Sequence, residues 1–243
     1  MNILLTNDDG ISCQGIWALK NALEAGTSHK IYVIVPEDNR SGISHGITMR
    51  GPIRVRHREE RVWTCSGTPA DCVIVGLLGE HLPVRPDLIL SGINEGPNLG
   101  TDIIYSGTAA AARQGALHGI PSFALSMGTY DSFFYYDVAA RYMAENLENL
   151  LPLWEKDTFI NINFPNTASL QADFRITYPS RRSYKDTLVR FVAPDGHHYC
   201  FIDGGEVSTH PEEGSDADAV ERGYVSISRV YIHPLSVEQV KTT

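Results

Sequence analysis

The feature that most constrains this chain is the way its first strand ends. Ile3, Leu4 and Leu5 form a short apolar run that reads as a buried strand, and Thr6, Asn7, Asp8, Asp9 and Gly10 arrive together where that strand must stop. Gly10 accepts backbone conformations that other residues resist, so the spacing predicts a turn with two adjacent carboxylates at the lip of a sheet. In open α/β sheets, ligands bind at the carboxyl ends of the strands. Paired carboxylates there suit a hard divalent cation, which takes oxygen ligands. Asp-Asp-Gly is also ordinary turn chemistry, and Asp8 is equally placed to cap the next helix. This stretch alone leaves both readings open. An Asp-x-Asp-Gly phosphatase is set aside, because Asn7 stands where the nucleophilic carboxylate would be.

The rest of the chain sets that turn in an α/β frame. Ile16, Leu19 and Leu23 recur at near-helical spacing between Gly15 and Ala25, and Gly26 supplies a stop. Ile31 to Val35 is a second buried strand, closed by Pro36. This βαβ opening implies a parallel sheet with a right-handed crossover. The polar stretch from Pro36 to His45 is expected at the same sheet edge as Asp8. From Ile47 to Trp63 apolar and basic residues alternate, which predicts a hairpin whose Arg50, Arg54, Arg56 and Arg58 form a solvated face rather than an anion funnel.

Thr68 and Pro69 open a helix to about Leu78, as N-cap and first helical residue. A strand from Pro86 to Leu90 runs into the glycine-rich Ser91–Gly100 loop. Tyr105-Ser106-Gly107-Thr108 then starts an alanine-rich helix. A helix start is a ready anion site and also a plain Ser/Thr cap, and this segment does not choose between them. Ser122 to Met127 is a strand, Tyr135 to Leu153 an amphipathic helix, and Thr158 to Phe164 a strand ending at Pro165. Beyond it the rhythm changes to short strands and turns, with Asp195-Gly196 a hairpin turn. Between Asp203 and Glu221 there are seven acidic residues and no Lys or Arg, which reads as a solvated loop and arm. The expected organisation is one domain, with a core over 1–165 and a β-rich extension and oligomerisation arm over 166–243.

Composition narrows the partners. A net charge of −9 over 243 residues argues against polymeric nucleic acid held through phosphates. No apolar run approaches the ~18 residues of a membrane span, and no signal peptide is read at the start. Cys13, Cys65, Cys72 and Cys200 show no Cys-x-x-Cys spacing and look like scattered thiols of a reducing compartment, so a cytoplasmic protein is expected.

Three loops are thus expected on one sheet rim. Asp8 and Asp9 bring charged oxygens, Ser41 a hydroxyl and Asn94 an amide carbonyl, a set suited to one divalent cation. Ser106-Gly107-Thr108 would hold phosphate oxygens. No Gly-x-x-x-x-Gly-Lys-Ser/Thr loop, and no Gly-x-Gly-x-x-Gly after the first strand, is present. Metal-assisted hydrolysis with water as nucleophile is the reading left.

Six ordered blocks then carry a resemblance: Ile3–Gly10, Arg40-Ser41-Gly42, Gly67–Val73, Ser91–Gly100, Tyr105–Thr108 and Gly223–Ile227. Along almost its whole length the chain resembles the survival protein SurE family of metal-dependent nucleotide phosphatases. The resemblance implies a Rossmann-like parallel sheet flanked by helices, with a C-terminal β-rich hairpin arm swapped between the subunits of a homodimer, sometimes a dimer of dimers. It implies one divalent cation per subunit, Mg²⁺ or Mn²⁺, on Asp8, Asp9, Ser41 and Asn94. Phosphate contacts are implied from Asn98, Ser106, Gly107 and Thr108, with hydrolysis of nucleoside 5′- and 3′-monophosphates. Ser228-Arg229-Val230 stands where the family usually has Thr-Pro-Leu. His45 lies outside the family motif and is read as a surface loop residue.

The competing reading is a binding module that senses a nucleotide or cation on the same loops without turnover. A sugar-nucleotide transferase is disfavoured, because its paired Asp would lie deep in the chain. The segment after about Asp203 is expected to leave its own globule, since Tyr224, Val225, Ile227, Val230, Tyr231 and Ile232 need burial somewhere.

Overall fold

The computed structural model describes residues 1–170, 173–203, 207–210 and 212–235. β1 (Asn2–Thr6), α1 (Gln14–Gly26) and β2 (Lys30–Pro36) form the expected unit, with Ile3 opposite Ile31 in a parallel pair. β3 (Val55–Glu59) and β4 (Val62–Cys65) make an antiparallel edge hairpin. It begins later than the alternation from Ile47 suggests. Gly51, at φ +85°, and Pro52, which lacks an amide donor, interrupt the strand pattern. α2 (Pro69–Leu78) opens on a complete capping box, Thr68 accepting from the Asp71 amide and Asp71 from the Thr68 amide.

β5 (Leu88–Asn94) runs further than its apolar stretch and carries the start of the glycine-rich loop into the sheet. α3 (Gly107–Leu117), β6 (Ser122–Met127), α4 (Tyr136–Leu150) and β7 (Thr158–Phe164) complete the alternation. β8 (Phe174–Thr177), β9 (Arg181–Tyr184), β10 (Thr187–Val192), β11 (His198–Asp203), β12 (Val207–His210), α5 (Asp216–Glu221) and β13 (Val225–Tyr231) follow.

Among the described residues the central sheet has nine strands in the order β3-β4-β2-β1-β5-β6-β7-β13-β8. The run from β4 to β7 is parallel, with a crossover helix on each connection except that from β2 to β4, which passes through β3. Period-two alternation divides its side chains between two layers. Ile3 and Leu5 join α1 and α4 through Leu19, Leu23 and Met143, while Leu4 faces α2 and α3 through Val73 and Ala111. Ala109 to Ala112 are fully buried, which lets α3 lie close to the sheet.

The C-terminal segment departs from the sequence reading. Its last described strand joins this chain's own sheet: β13 inserts between β7 and β8, antiparallel to the first and parallel to the second, while residues 204–206, 211 and 236–243 of the expected arm lie outside the described residues. Val225, Ile227 and Ile232 are buried there, so half of the apolar set that seemed to need a partner is covered by this chain's own sheet, while Tyr231 stays exposed. The sheet therefore draws strands from both sides of Pro165. The acidic stretch is not wholly solvated either. Asp216, fully buried at the start of α5, accepts from the amides of Gly100 at 2.7 Å and Ser180 at 2.8 Å. The apolar surface left open lies earlier, on the β10–β11 hairpin, which pairs with no other strand among the described residues. Its turn is at Asp195-Gly196 as expected, with Gly196 at φ +83°.

Candidate active site

At the carboxyl end of β1, Gly10 turns with φ +85° and Asn7 braces the turn from both sides. The Asn7 Nδ2 donates to the Gly10 carbonyl at 2.9 Å, and the Gly10 amide donates to Asn7 Oδ1 at 3.1 Å. The turn leaves Asp8 and Asp9 projecting over the sheet edge. The second loop is tied to it: the Arg40 amide donates to the Asp8 carbonyl at 2.6 Å. Asn39 accepts from the Ser41 amide at 2.7 Å and reaches Asp9 Oδ1 at 3.5 Å. From the end of β5, the Glu95 amide donates to Asp9 Oδ2 at 3.2 Å.

The start of α3 closes on Asp8 itself. The Gly107 amide donates to Asp8 Oδ2 at 3.1 Å, and the Thr108 hydroxyl to Asp8 Oδ1 at 2.5 Å. Asn94 Oδ1 lies 3.5 Å from the same hydroxyl. A Cβ at position 107 would sit 2.8 Å from the Asp8 Cβ, so glycine is needed for the carboxylate to approach this closely. The anion held by the start of α3 is thus the protein's own Asp8.

Two carboxyls crowded in this way resist ionisation. Burial raises the Asp8 carboxyl above its ordinary range, against hydrogen bonds from Thr108 and Gly107 that favour the anion. Asp9 is raised to about 7, first by burial and then by the charge of Asp8, with Glu95 adding further repulsion. Neither forms a salt bridge among the described residues. Buried carboxylates are ordinarily paired or coordinate a metal. The donor set fits the second option: two acidic oxygens plus the neutral oxygens of Ser41 and Asn94 match a hard cation. No cluster of three or more His, Cys, Asp or Glu suited to a metal occurs among the described residues, so a softer, nitrogen- or sulfur-rich site is not on offer there.

Beside these groups opens a cleft of about 240 Å³. Asp8, Ser41, Asn94, Asn98 and Ser106 line it together, so five residues singled out in the sequence share one space. Asp9, Gly107 and Thr108 are not part of this lining. Ser106 serves as the N-cap, accepting from the Ala109 amide at 2.9 Å, while it also lines the cleft. His45 pairs with Gln114 at 2.9 Å and does not line the cleft. Arg54 and Arg56 turn to Glu37 rather than forming a free basic track. A larger cavity of about 450 Å³, against Trp17 and Phe133, shares no residue with this cleft.

Sequence reasoning missed the supports. Asn98 donates to Ser126 Oγ at 2.7 Å, while its carbonyl accepts from Asn161 and Asn163, both fully buried on β7. Two Asn at period two in an otherwise apolar buried strand were the available signal. Asp102, Tyr105 and Tyr184 also line the cleft, and Tyr184 comes from β9, beyond the βα alternation. No local pattern marks Tyr184.

An α/β sheet with paired carboxylates and neutral oxygens around a helix start, all at its carboxyl edge, has a donor set that fits metal-assisted phosphate chemistry. The comparisons make the assignment specific. The model of the family described as Survival protein SurE matches residues 3–186, and the chain belongs to that family. It is 38% identical to a 5′-nucleotidase SurE of Geotalea uraniireducens, covering 96% of this chain and 93% of that protein. A 5′-nucleotidase SurE of Synechococcus elongatus is 39% identical, over 94% and 92% of the two chains. The crystal structure of the SurE protein from Aquifex aeolicus superposes with a TM-score of 0.83 at 35% identity, covering 100% of this chain and 98% of that one.

Proposed function

We infer that this chain is a 5′-nucleotidase, a phosphomonoesterase that hydrolyses nucleoside 5′- and 3′-monophosphates to nucleoside and phosphate. The observation that carries this reading is the crowded Asp8–Asp9 pair, which has no salt-bridge partner among the described residues, with Asp8 lining an oxygen-rich cleft. Its relatives are named as nucleotidases, which disfavours a binding module without turnover. Asp8, Asp9, Ser41 and Asn94 would hold one divalent cation of the Mg²⁺ or Mn²⁺ kind. Such an ion supplies positive charge that polarises a phosphoryl oxygen and lowers the pKa of water.

The chain's own groups do the positioning. Asn98 and Ser106 line the cleft and are placed to receive phosphate oxygens. Gly107 and Thr108 act one step behind, because their donors fix the Asp8 carboxylate and favour its ionised form.

The enzyme works as a homo-oligomer, a dimer or a dimer of dimers, assembled through β10–β11. What supports this is apolar exposure on both faces of that hairpin. Leu188 and Ile202 are 60% and 77% exposed on one face, and Val189 and Phe201 54% and 63% on the other. The four free thiols fit a reducing, cytoplasmic setting. No helix among the described residues is long and apolar enough to cross a membrane.

The deciding experiment is phosphate release from AMP by the full chain in Mg²⁺ or Mn²⁺, with and without EDTA. Turnover that EDTA abolishes and either cation restores is the expected result. Nucleotide binding without phosphate release in any cation would return the chain to the sensing reading.

A further inference from the structure

The cleft beside Asp8 is smaller than the roughly 300–1,000 Å³ of sites that enclose a whole small molecule, at about 240 Å³. It accommodates the phosphate end of a substrate and leaves the remainder outside. What lies at its edge is aromatic. Tyr105 immediately precedes Ser106, lines the cleft and is 54% exposed. The Tyr184 ring meets it edge-on, with centroids 5.8 Å apart and planes at 90°.

Both rings are held in place. The Tyr105 amide donates to the Asp102 carbonyl at 2.9 Å, and its carbonyl accepts from the Ser44 amide at 2.9 Å. The Tyr184 hydroxyl donates to the Asp102 carboxylate, which also pairs with Arg182. The Arg182 side chain is only 4% exposed, so this ion pair is a built-in fixture of the wall. The Tyr184 hydroxyl is therefore committed, and what that residue adds to the wall is its ring.

We propose that Tyr105, backed edge-on by Tyr184, is the nucleobase-recognition wall of this cleft, on which the base stacks while the phosphate enters beside Asp8. The proposal rests on the nucleotidase reading and adds how the base is selected. A ring face accepts any base, because every base has a π-face. Purine and pyrimidine nucleotides are thus both substrates, and phosphomonoesters without an aromatic group are held more weakly. Asp102 and Arg182 are positioning residues, since they act through Tyr184.

The test compares AMP, CMP and ribose 5-phosphate as substrates of the full chain in saturating Mn²⁺, for wild type, Tyr105→Ala and Tyr105→Phe. Wild type is expected to show a lower KM for both nucleotides than for ribose 5-phosphate. Tyr105→Ala should shrink that preference by roughly 5- to 150-fold, the range of base–aromatic stacking, through KM rather than kcat. Tyr105→Phe keeps the ring and should restore it. Tyr105 is exposed, so its variants fold; circular dichroism checks this. Adenosine should inhibit ribose 5-phosphate hydrolysis competitively in wild type, and at least fivefold more weakly in Tyr105→Ala. Equal KM values for AMP and ribose 5-phosphate in wild type, or a Tyr105→Ala effect of the same size on both, would overturn the wall and leave the phosphatase standing. A wild type that hydrolyses none of the three would overturn both.

Discussion

The rim of the central sheet and the β10–β11 hairpin are built on opposite plans. At the rim, Asp8 is 3% exposed and its carboxylate accepts from two groups at the start of α3. The hairpin leaves Leu188, Phe201 and Ile202 open to solvent and is joined to the sheet by no strand pairing among the described residues. A site whose geometry is fixed by many buried contacts needs only its own chain. A two-stranded hairpin is marginal by itself, and one that carries apolar side chains on both faces gains stability from a partner. Chemistry and assembly are therefore separable here, except where β9 brings Tyr184 to the cleft.

The strongest way to break this separation is at the carboxylates. Asp9→Asn keeps the shape and removes a charge, and activity in excess Mn²⁺ should fall by more than the roughly 10- to 100-fold that loss of an outer support costs. The elution volume in size-exclusion chromatography should not move. A rate within twofold of wild type would remove Asp9 from the metal site.

Thr108→Val tests the support itself. It deletes the hydroxyl that donates to Asp8 Oδ1, and calorimetry should show Mn²⁺ affinity weaker by about 10- to 100-fold. Unchanged affinity would mean that α3 does not tune the carboxylate.

A third prediction uses pH. In the metal-free protein Asp9 is raised from 3.8 to about 7, so the folded state holds that proton more tightly than the unfolded chain. The resulting stability is fully present below about pH 4 and is lost as pH rises to about 7. Metal-free Asp9→Asn should therefore gain in Tm over wild type across that interval, by about 2–4 °C per kcal/mol in a chain of this size. Differential scanning calorimetry between pH 5 and pH 8 reads the gap. A gap independent of pH would contradict the crowding of the two carboxyls.

The smallest energetic effect belongs to the hairpin. Leu188→Lys with Ile202→Glu alters exposed side chains, so the fold should change in stability by no more than about 0.5 kcal/mol per site. Light scattering should nevertheless show a shift to lower mass. Full-length wild type that is monomeric at micromolar concentration would refute assembly through this surface.

Much of this molecule was legible because its signals are local. The capping box at Thr68 and Asp71, the stripe of Ile16, Leu19 and Leu23, and the turns at Gly10 and Gly196 all rest on contacts within a few residues. Ser41, Asn94 and Ser106 could be named because each follows a strand or starts a helix, and parallel strands bring such ends to one edge, whereas Asn98 came only from the family resemblance. The misreading came where local character and tertiary fate diverge. An acidic run looks solvated, yet Asp216 is buried because two amides from distant loops need an acceptor. Tyr224 to Ile232 looked like an exported arm, yet a gap between β7 and β8 receives β13.

By itself, then, the sequence determined the order of elements, the parallel sheet, the family, and which residue types meet at the sheet's carboxyl edge, since periodicity and turn chemistry act at short range. Only the tertiary structure decided that the α3 start holds Asp8, 100 residues away from Thr108 in the chain, and that Tyr184 reaches the cleft from the extension. It also decided that β10–β11, and not the last strand, is the surface left uncovered. Such pairings are settled by which buried groups can satisfy one another across the fold, and that competition leaves no mark on neighbouring residues.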